Sequence, residues 1–181
     1  MGKVNKFFIC ILFFSFTHCS PPSKDINQEK ENSKITAKVI GIIDGDTYDI
    51  LVNNEQVRVR MNGIDAPERG MPFYKVSKNY LSKLCFGKTV NIENVGVDRH
   101  GRVLGDTYFE GTYINLEMVK AGMAWHYKEY SNDEQLANAE IGAKKNKNGL
   151  WKDARPIEPW RVRSLHRQGI STKDSFNLTN E

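Results

Sequence analysis

A chain of 181 residues with 39% hydrophobic content has room for one packed domain and appendages, not for two domains. Its formal charge of +4, half of it from Lys3 and Lys6 near the start, is compatible with a polyanionic partner but too small to require one. Two of its three cysteines, Cys10 and Cys19, lie in the first nineteen residues, which excludes a disulfide framework or a cysteine metal cage in the rest of the chain.

Residues 1–19, "MGKVNKFFICILFFSFTHC", have the layout of an export signal: two lysines, then an apolar run from Phe7 to Phe16 that is too short to span a bilayer as a helix. Residues 20–34 are polar, contain Pro21 and Pro22 and show no apolar period, so they read as a flexible tether. A cysteine between such a leader and a tether resembles a lipoprotein signal, with Cys19 carrying the lipid. Phe16, Thr17 and His18 fit that signal imperfectly, and an ordinary signal-peptidase cut fits no better. The expectation is therefore export, either secreted or lipid-anchored at the cell envelope.

From Ile35 the composition turns β-branched. "ITAKVIGIIDGDTYDILV" predicts two strands joined by a tight turn near "DGD". "QVRVRM" alternates, with Val57, Val59 and Met61 on one face and Arg58 and Arg60 on the other. "PFYKVSKNYLSKLCFG" predicts a helix with Phe73, Val76, Tyr80, Leu81 and Leu84 on its apolar face, Pro72 at its start and Gly87 at its stop. Cys85 sits in that stretch among apolar residues, as a buried thiol would. "KTVNIENVGV" and "RVLGDTYF" flank "DRHG" as a hairpin. Asn115 is placed to cap a short helix ended by Gly122, and Ser131 with Glu134 has capping-box spacing for a third.

This order predicts a mainly β fold with α elements: a small five-stranded barrel with helices packed at one end, which leaves few exposed sheet edges. The domain is expected over residues 35–163. "RPIEPWRVRSLHRQG" would lie across its surface, and residues 164–181 would form a poorly ordered tail, frayed after Gly169.

Three short stretches could do chemistry. In "DGDT", Asp44 and Asp46 project to one side of an extended segment, although Asp-Gly alone is ordinary turn chemistry. An EF-hand loop is excluded, because Tyr48 falls where a third oxygen ligand belongs and Asp49 where glycine is obligatory. In "RMNGIDAPE", Pro67 can fix a turn that directs Asp65 and Glu68 to one side. Asp46, Asp65 and the carbonyl of Ala66 could then supply a partial Ca²⁺ shell open to water and substrate. Arg60, from the polar face of the preceding strand, is either a surface ion pair or a phosphate ligand. In "DRHGR", Arg102 can present a second guanidinium from a hairpin turn. Planar bidentate donors beside a carboxylate cluster suit a phosphodiester whose phosphorus gathers negative charge on attack.

"IDGDT", "RMNGIDAPE" and "DRHGR", in this order and at these separations, resemble the thermonuclease (staphylococcal-nuclease-like) family over roughly residues 35–163. "GAKKNKNGLW" and "EPW" are similar to its bacterial members. The resemblance implies an OB-fold barrel with three helices and a Ca²⁺-dependent nuclease of DNA and/or RNA that leaves 3′-phosphate ends. It implies metal ligation by the side chains of Asp46 and Asp65 and the carbonyl of Ala66. Glu68 would be general base or organiser of the attacking water, and Arg60 and Arg102 would neutralise the phosphate.

Ala66 stands where the family's type member has threonine, a loss that spares a backbone ligand. Arg99 and His100 stand where it has lysine and tyrosine near a terminal phosphate, so substrate-end recognition is open. Tyr127 and Tyr130 either offer faces for base stacking or pack beside Trp125. His126 and His166 have no partners at metal-ligand spacing. The lysines of "AKKNKNG" read as a solvated helix face that can add phosphate contacts. No protein partner is inferred and a monomer is expected. The competing reading is a catalytically weak barrel that binds nucleic acid or a protein, but such a module would be expected to lose charged site residues, and all five side chains are present.

Overall fold

A computed structural model describes residues 34–178; the leader, Cys19 and nearly all of the tether lie outside the described residues. Strands β1 (Ile35–Ile42), β2 (Thr47–Val52) and β3 (Glu55–Met61) form an antiparallel meander. The chain then makes the two-residue β4 (Ile64–Asp65), helix α1 (Tyr74–Cys85), and the hairpin β5 (Thr89–Val97) and β6 (Val103–Phe109). A two-residue β7 (Thr112–Tyr113) leads into α2 (Ile114–Lys120), followed by β8 (Trp125–His126) and α3 (Glu134–Lys145).

The sheet runs β3-β2-β1-β5-β6-β7, and a parallel pairing of β3 with β6 closes it. Val59 pairs with Val103, Arg60 with Leu104 and Met61 with Gly105. The five long strands thus make the expected barrel. Register shifts between Val39 and Gly41, and between Glu93 and Gly96, supply the bends that closure requires. The barrel is filled by Val39, Tyr48, Ile50, Val59, Met61 and Ile92, with Leu81, Met118 and Leu136 packed on from the helices. Tyr48 is fully buried, its hydroxyl paired with Thr107 Oγ1 at 2.8 Å.

Several local expectations are corrected. Helix α1 buries Ser77, Leu81 and Cys85, one residue per turn, and leaves Val76 half exposed. Ser77 is drawn inward because its hydroxyl donates to the Met123 carbonyl at 2.7 Å. Asn115 does not cap α2 but lies inside it, fully buried, where its side chain accepts from Thr107 N at 3.0 Å and donates to Asn62 O at 2.9 Å. The cap of α3 is Asp133, not Ser131: Asp133 Oδ1 accepts the amides of Gln135 and Leu136. Ser131 instead accepts from Asp133 N and pairs with His126 Nε2.

The C-terminal stretch is corrected too. A 3₁₀ turn (Gly149–Lys152) precedes helix α4 (Pro159–Arg167), and α5 (Thr172–Leu178) follows in the stretch expected to fray. Pro159 opens α4, where its missing N–H costs nothing. Val162 is buried with Ile157 and Met71 in a second, smaller apolar cluster. Among the described residues, no helix is long and apolar enough to cross a membrane.

Candidate active site

The site assembles where the β1–β2 turn, the end of β3 and the β4–α1 loop meet. The turn over residues 43–46 is held by Ile43 N and Asp44 N, which both donate to Thr47 O, and by Asp46 N, which donates to Asp44 Oδ1 at 3.1 Å. Asp46 is thereby aimed across at the next loop. Its Oδ2 accepts the backbone N–H of Ala66 at 2.6 Å, and its Oδ1 accepts from Thr47 Oγ1 at 2.9 Å. Asp65 arrives on β4, which pairs with β8 by matching Asp65 to Trp125. Both carboxylates are buried, at 5% and 1% exposure.

Arg60 joins them. Its Nε lies 3.2 Å from Asp46 Oδ1 and its Nη2 2.9 Å from Asp65 Oδ1. Its Nη1 donates to the carbonyls of Met61 at 2.8 Å and Ile64 at 2.7 Å. Its side chain is only 12% exposed, so the ion pair it makes is a buried one and not one at the surface. One guanidinium between two buried carboxylates does not satisfy both. Burial and the neighbouring Asp46 charge push Asp65 up to about 6, against the pull of Arg163 and Arg60. Burial and the Asp46 charge likewise push Asp44 up to about 7. Among the described residues, no group of three or more His, Cys, Asp or Glu side chains is gathered as a ready cation cage. Asp46 and Asp65 are the pair of hard oxygen donors that converge.

Glu68 follows on the β4–α1 loop, partly exposed, just before a turn closed by Met71 N donating to Glu68 O at 2.9 Å. It faces Asp65, and what joins the two is a residue the sequence reading missed. Arg163 of α4 donates to Asp65 through Nη2 at 2.8 Å and Nη1 at 3.2 Å, and Nη1 also reaches Glu68 Oε1 at 2.5 Å. Burial works against the Arg163 charge, but its bonds to Asp65 and Glu68 more than offset this and raise its pKa. The available signal was the spacing Trp160-x-x-Arg163, which puts an aromatic and a cation on one helix face. Trp160 stacks on Tyr127, centroids 5.0 Å apart and planes within 4°. Tyr130 packs edge-on against Tyr127 at 4.7 Å and is itself exposed. Trp125 pairs edge-on with Trp151.

Arg102 is not drawn into this cluster. Its Nε is 2.8 Å from Asp98 Oδ2, within the β5–β6 turn. With Asp49, Gln56, Arg58, His100 and Gly101 it lines an open depression of about 420 Å³. Arg99 and His100 are exposed at the tip of that turn, with Arg99 Nε 3.1 Å from His100 Nε2. Three other groups are structural. Burial pushes the Cys85 thiol up to about 12. Burial lowers the His126 pKa. Lys144, from the lysine-rich helix end, pairs with buried Glu140 at 3.0 Å and lies over the Trp151 ring.

A closed small barrel that gathers two acids and an arginine beside a loop glutamate belongs to the class of phosphodiester-cleaving barrels. A family model described as staphylococcal nuclease homologue matches residues 58–153. An uncharacterized endonuclease of Haemophilus influenzae is 41% identical over 159 residues, covering 86% of this chain and 85% of its own. A micrococcal nuclease of Shigella flexneri is 41% identical over 145 residues, covering 74% of this chain and 83% of its own. An uncharacterized endonuclease of Escherichia coli is 39% identical over 127 residues, covering 70% and 83%. The chain belongs to the staphylococcal nuclease family and is a nuclease by class.

Proposed function

We propose that the chain hydrolyses phosphodiester bonds of DNA and/or RNA with little sequence preference, using a Ca²⁺ ion held by Asp46, Asp65 and the Ala66 carbonyl. The observation that carries this reading is the convergence of Asp46, Asp65, Arg60 and Glu68 from three separate segments. The donor chemistry fits the ion. Asp46 and Asp65 are buried hard oxygen donors that share Arg60, with Arg163 also on Asp65, and Ca²⁺ accepts carboxylate, carbonyl and water oxygens together.

The bound cation would polarise a phosphate oxygen and offset charge on the phosphorus. Glu68, acting from its partly exposed loop, accepts a proton from the attacking water. Arg60, preoriented by the Met61 and Ile64 carbonyls, faces the phosphate beside Asp46. Arg102 supplies a second guanidinium: its Asp98 partner lies in a partly exposed turn, where an ion pair is readily exchanged for a phosphate. Scission of the P–O5′ bond leaves a 3′-phosphate and a 5′-hydroxyl. Arg99 and His100, at the tip of the same turn, contact the substrate end, and exposed Tyr130 offers a ring face to bases, whereas Tyr127 is covered by Trp160.

The test is digestion of single-stranded DNA and RNA by the chain lacking residues 1–19, with Ca²⁺ and with excess chelator, followed by end-group analysis. Cleavage that requires Ca²⁺, yields 3′-phosphates and falls steeply to a measurable residual rate in Glu68→Gln supports the reading. A folded, Ca²⁺-supplied protein that binds but never cleaves turns it into a binding module. We further propose export, on the strength of the leader, with Cys19 either lipidated or removed. Mass spectrometry of the mature N-terminus separates the two.

A further inference from the structure

Glu68 has little of its own to hold it. It sits on a loop, its side chain is 42% exposed, and its amide donates to Met71 Sδ rather than to a regular element. A glutamate left free there would spread over several rotamers, and its carboxylate would be in place only part of the time. Among the described residues the group that fixes it is Arg163, which lies 95 positions away in sequence and outside the span matched by the family model.

The geometry of that contact is selective. The Arg163 fork takes both oxygens of Asp65 but only Oε1 of Glu68. Oε2 has no hydrogen-bond partner among the described residues. Arg163 makes no bond to Asp46, whose oxygens go to Ala66 N, Thr47 Oγ1 and Arg60. Arg163 spans Asp65 and Glu68, whereas Arg60 spans Asp46 and Asp65. The helix that carries it is anchored by the residues just before position 163. Trp160 stacks on Tyr127, and Val162 is fully buried against Met71 and Ile157.

We propose that Arg163 is a positioning residue that holds the Glu68 carboxylate beside Asp65 with one oxygen free, which makes helix α4 a working part of the site. This rests on the nuclease reading above and assigns a role within it.

The test is a double-mutant cycle on the purified protein with Arg163→Ala, Arg163→Lys, Glu68→Gln and the Arg163→Ala/Glu68→Gln pair. Arg163→Ala lowers kcat on the order of 10- to 100-fold with KM little changed, as loss of a group orienting a site carboxylate does. Arg163→Lys and millimolar guanidinium added to Arg163→Ala each restore part of the loss. In the Glu68→Gln background Arg163→Ala has no further effect on kcat. Thermal denaturation in chelator gives a second readout, in which the two substitutions are non-additive because the residues touch.

An unchanged or raised kcat in Arg163→Ala overturns the proposal, as do equal fold-losses in both backgrounds without rescue, which would mark a structural role. Absence of turnover in the wild-type protein would overturn the nuclease reading instead. In that case additive stabilities in chelator would refute the contact as well.

Discussion

Asp46 Oδ2 accepts the backbone N–H of Ala66 at 2.6 Å, so one aspartate ties the β1–β2 turn to the loop that carries the other site acids. The bond presets the spacing between the Asp46 and Ala66 backbones before any ligand arrives. Asp46→Asn keeps an oxygen acceptor there and removes the charge, whereas Asp46→Ala removes both. Asp46→Asn should therefore retain slow hydrogen exchange at the Ala66 amide while losing at least about tenfold in Ca²⁺ affinity by calorimetric titration. Asp46→Ala should lose both. Equal Ca²⁺ affinity in Asp46→Asn and the wild type would remove Asp46 from the ligand set.

Stability of the chelated protein should fall between pH 4 and pH 7 because of two acids. A carboxyl whose folded pKa is raised above its unfolded value favours folding in its protonated form. That contribution is complete below the ordinary value of 3.8 and is lost as pH rises through about 6 for Asp65 and about 7 for Asp44. Asp98 and Glu140, whose pKa values are lowered, act in the opposite sense, but only below about pH 4.5. Between pH 5 and 7.5, urea denaturation should show the margin of Asp44→Asn over wild type growing by roughly 1–3 kcal/mol, a margin that vanishes only below about pH 3.8. Parallel curves for the two proteins would mean that Asp44 is ionised throughout.

The buried Asn115 makes a separate, stability-level prediction. Its amide closes two backbone groups, Thr107 N on β6 and Asn62 O just before β4. Asn115→Ala leaves a buried donor and a partly buried acceptor without partners, which should cost about 1–3 kcal/mol. Asn115→Asp, which keeps the acceptor for Thr107 and loses the donor for Asn62, should cost no less because it also buries a charge. Urea denaturation of the three proteins decides it. A loss under about 0.5 kcal/mol in Asn115→Ala would show that water replaces both bonds.

What the sequence made legible was whatever is encoded over short distances. The alternation of Val57, Val59 and Met61 announced β3 and put Arg60 on the face opposite them. Such a signal depends on backbone period alone. The errors share a cause, which is competition between local and tertiary partners. Asn115 and Ser131 carry oxygens suited to a helix start, but each is claimed by a more distant group, Asn62 and Thr107 in one case and His126 in the other. Val76 lay on the right helical stripe, yet Ser77 took the buried position because Met123 O offered it a hydrogen bond. Arg163 could not be assigned for the same reason. Its partners are 95 and 98 residues away, and only the folded path of α4 brings them together.

Gly45 gives a last test of how tightly the turn is coupled to the site. A Cβ at position 45 would lie 1.9 Å from Ser77 Oγ and 2.7 Å from Ala66 Cβ, closer than atoms approach without displacement. Ser77 Oγ has little freedom to withdraw, since it is fully buried and bonded to Met123 O. Ala66 has less, because its amide is held by Asp46. Gly45→Ala should therefore push the turn and the Ala66 loop apart, destabilising the chelated protein by about 1–3 kcal/mol and weakening Ca²⁺ binding and turnover together. Removing the obstruction tests the cause. Ser77→Gly alone costs the bond to Met123, but in the Gly45→Ala background it should recover part of the Ca²⁺ affinity, because space returns where the added methyl points. Recovery would locate the defect in this contact; additive losses in the double variant would place it in the turn's own backbone.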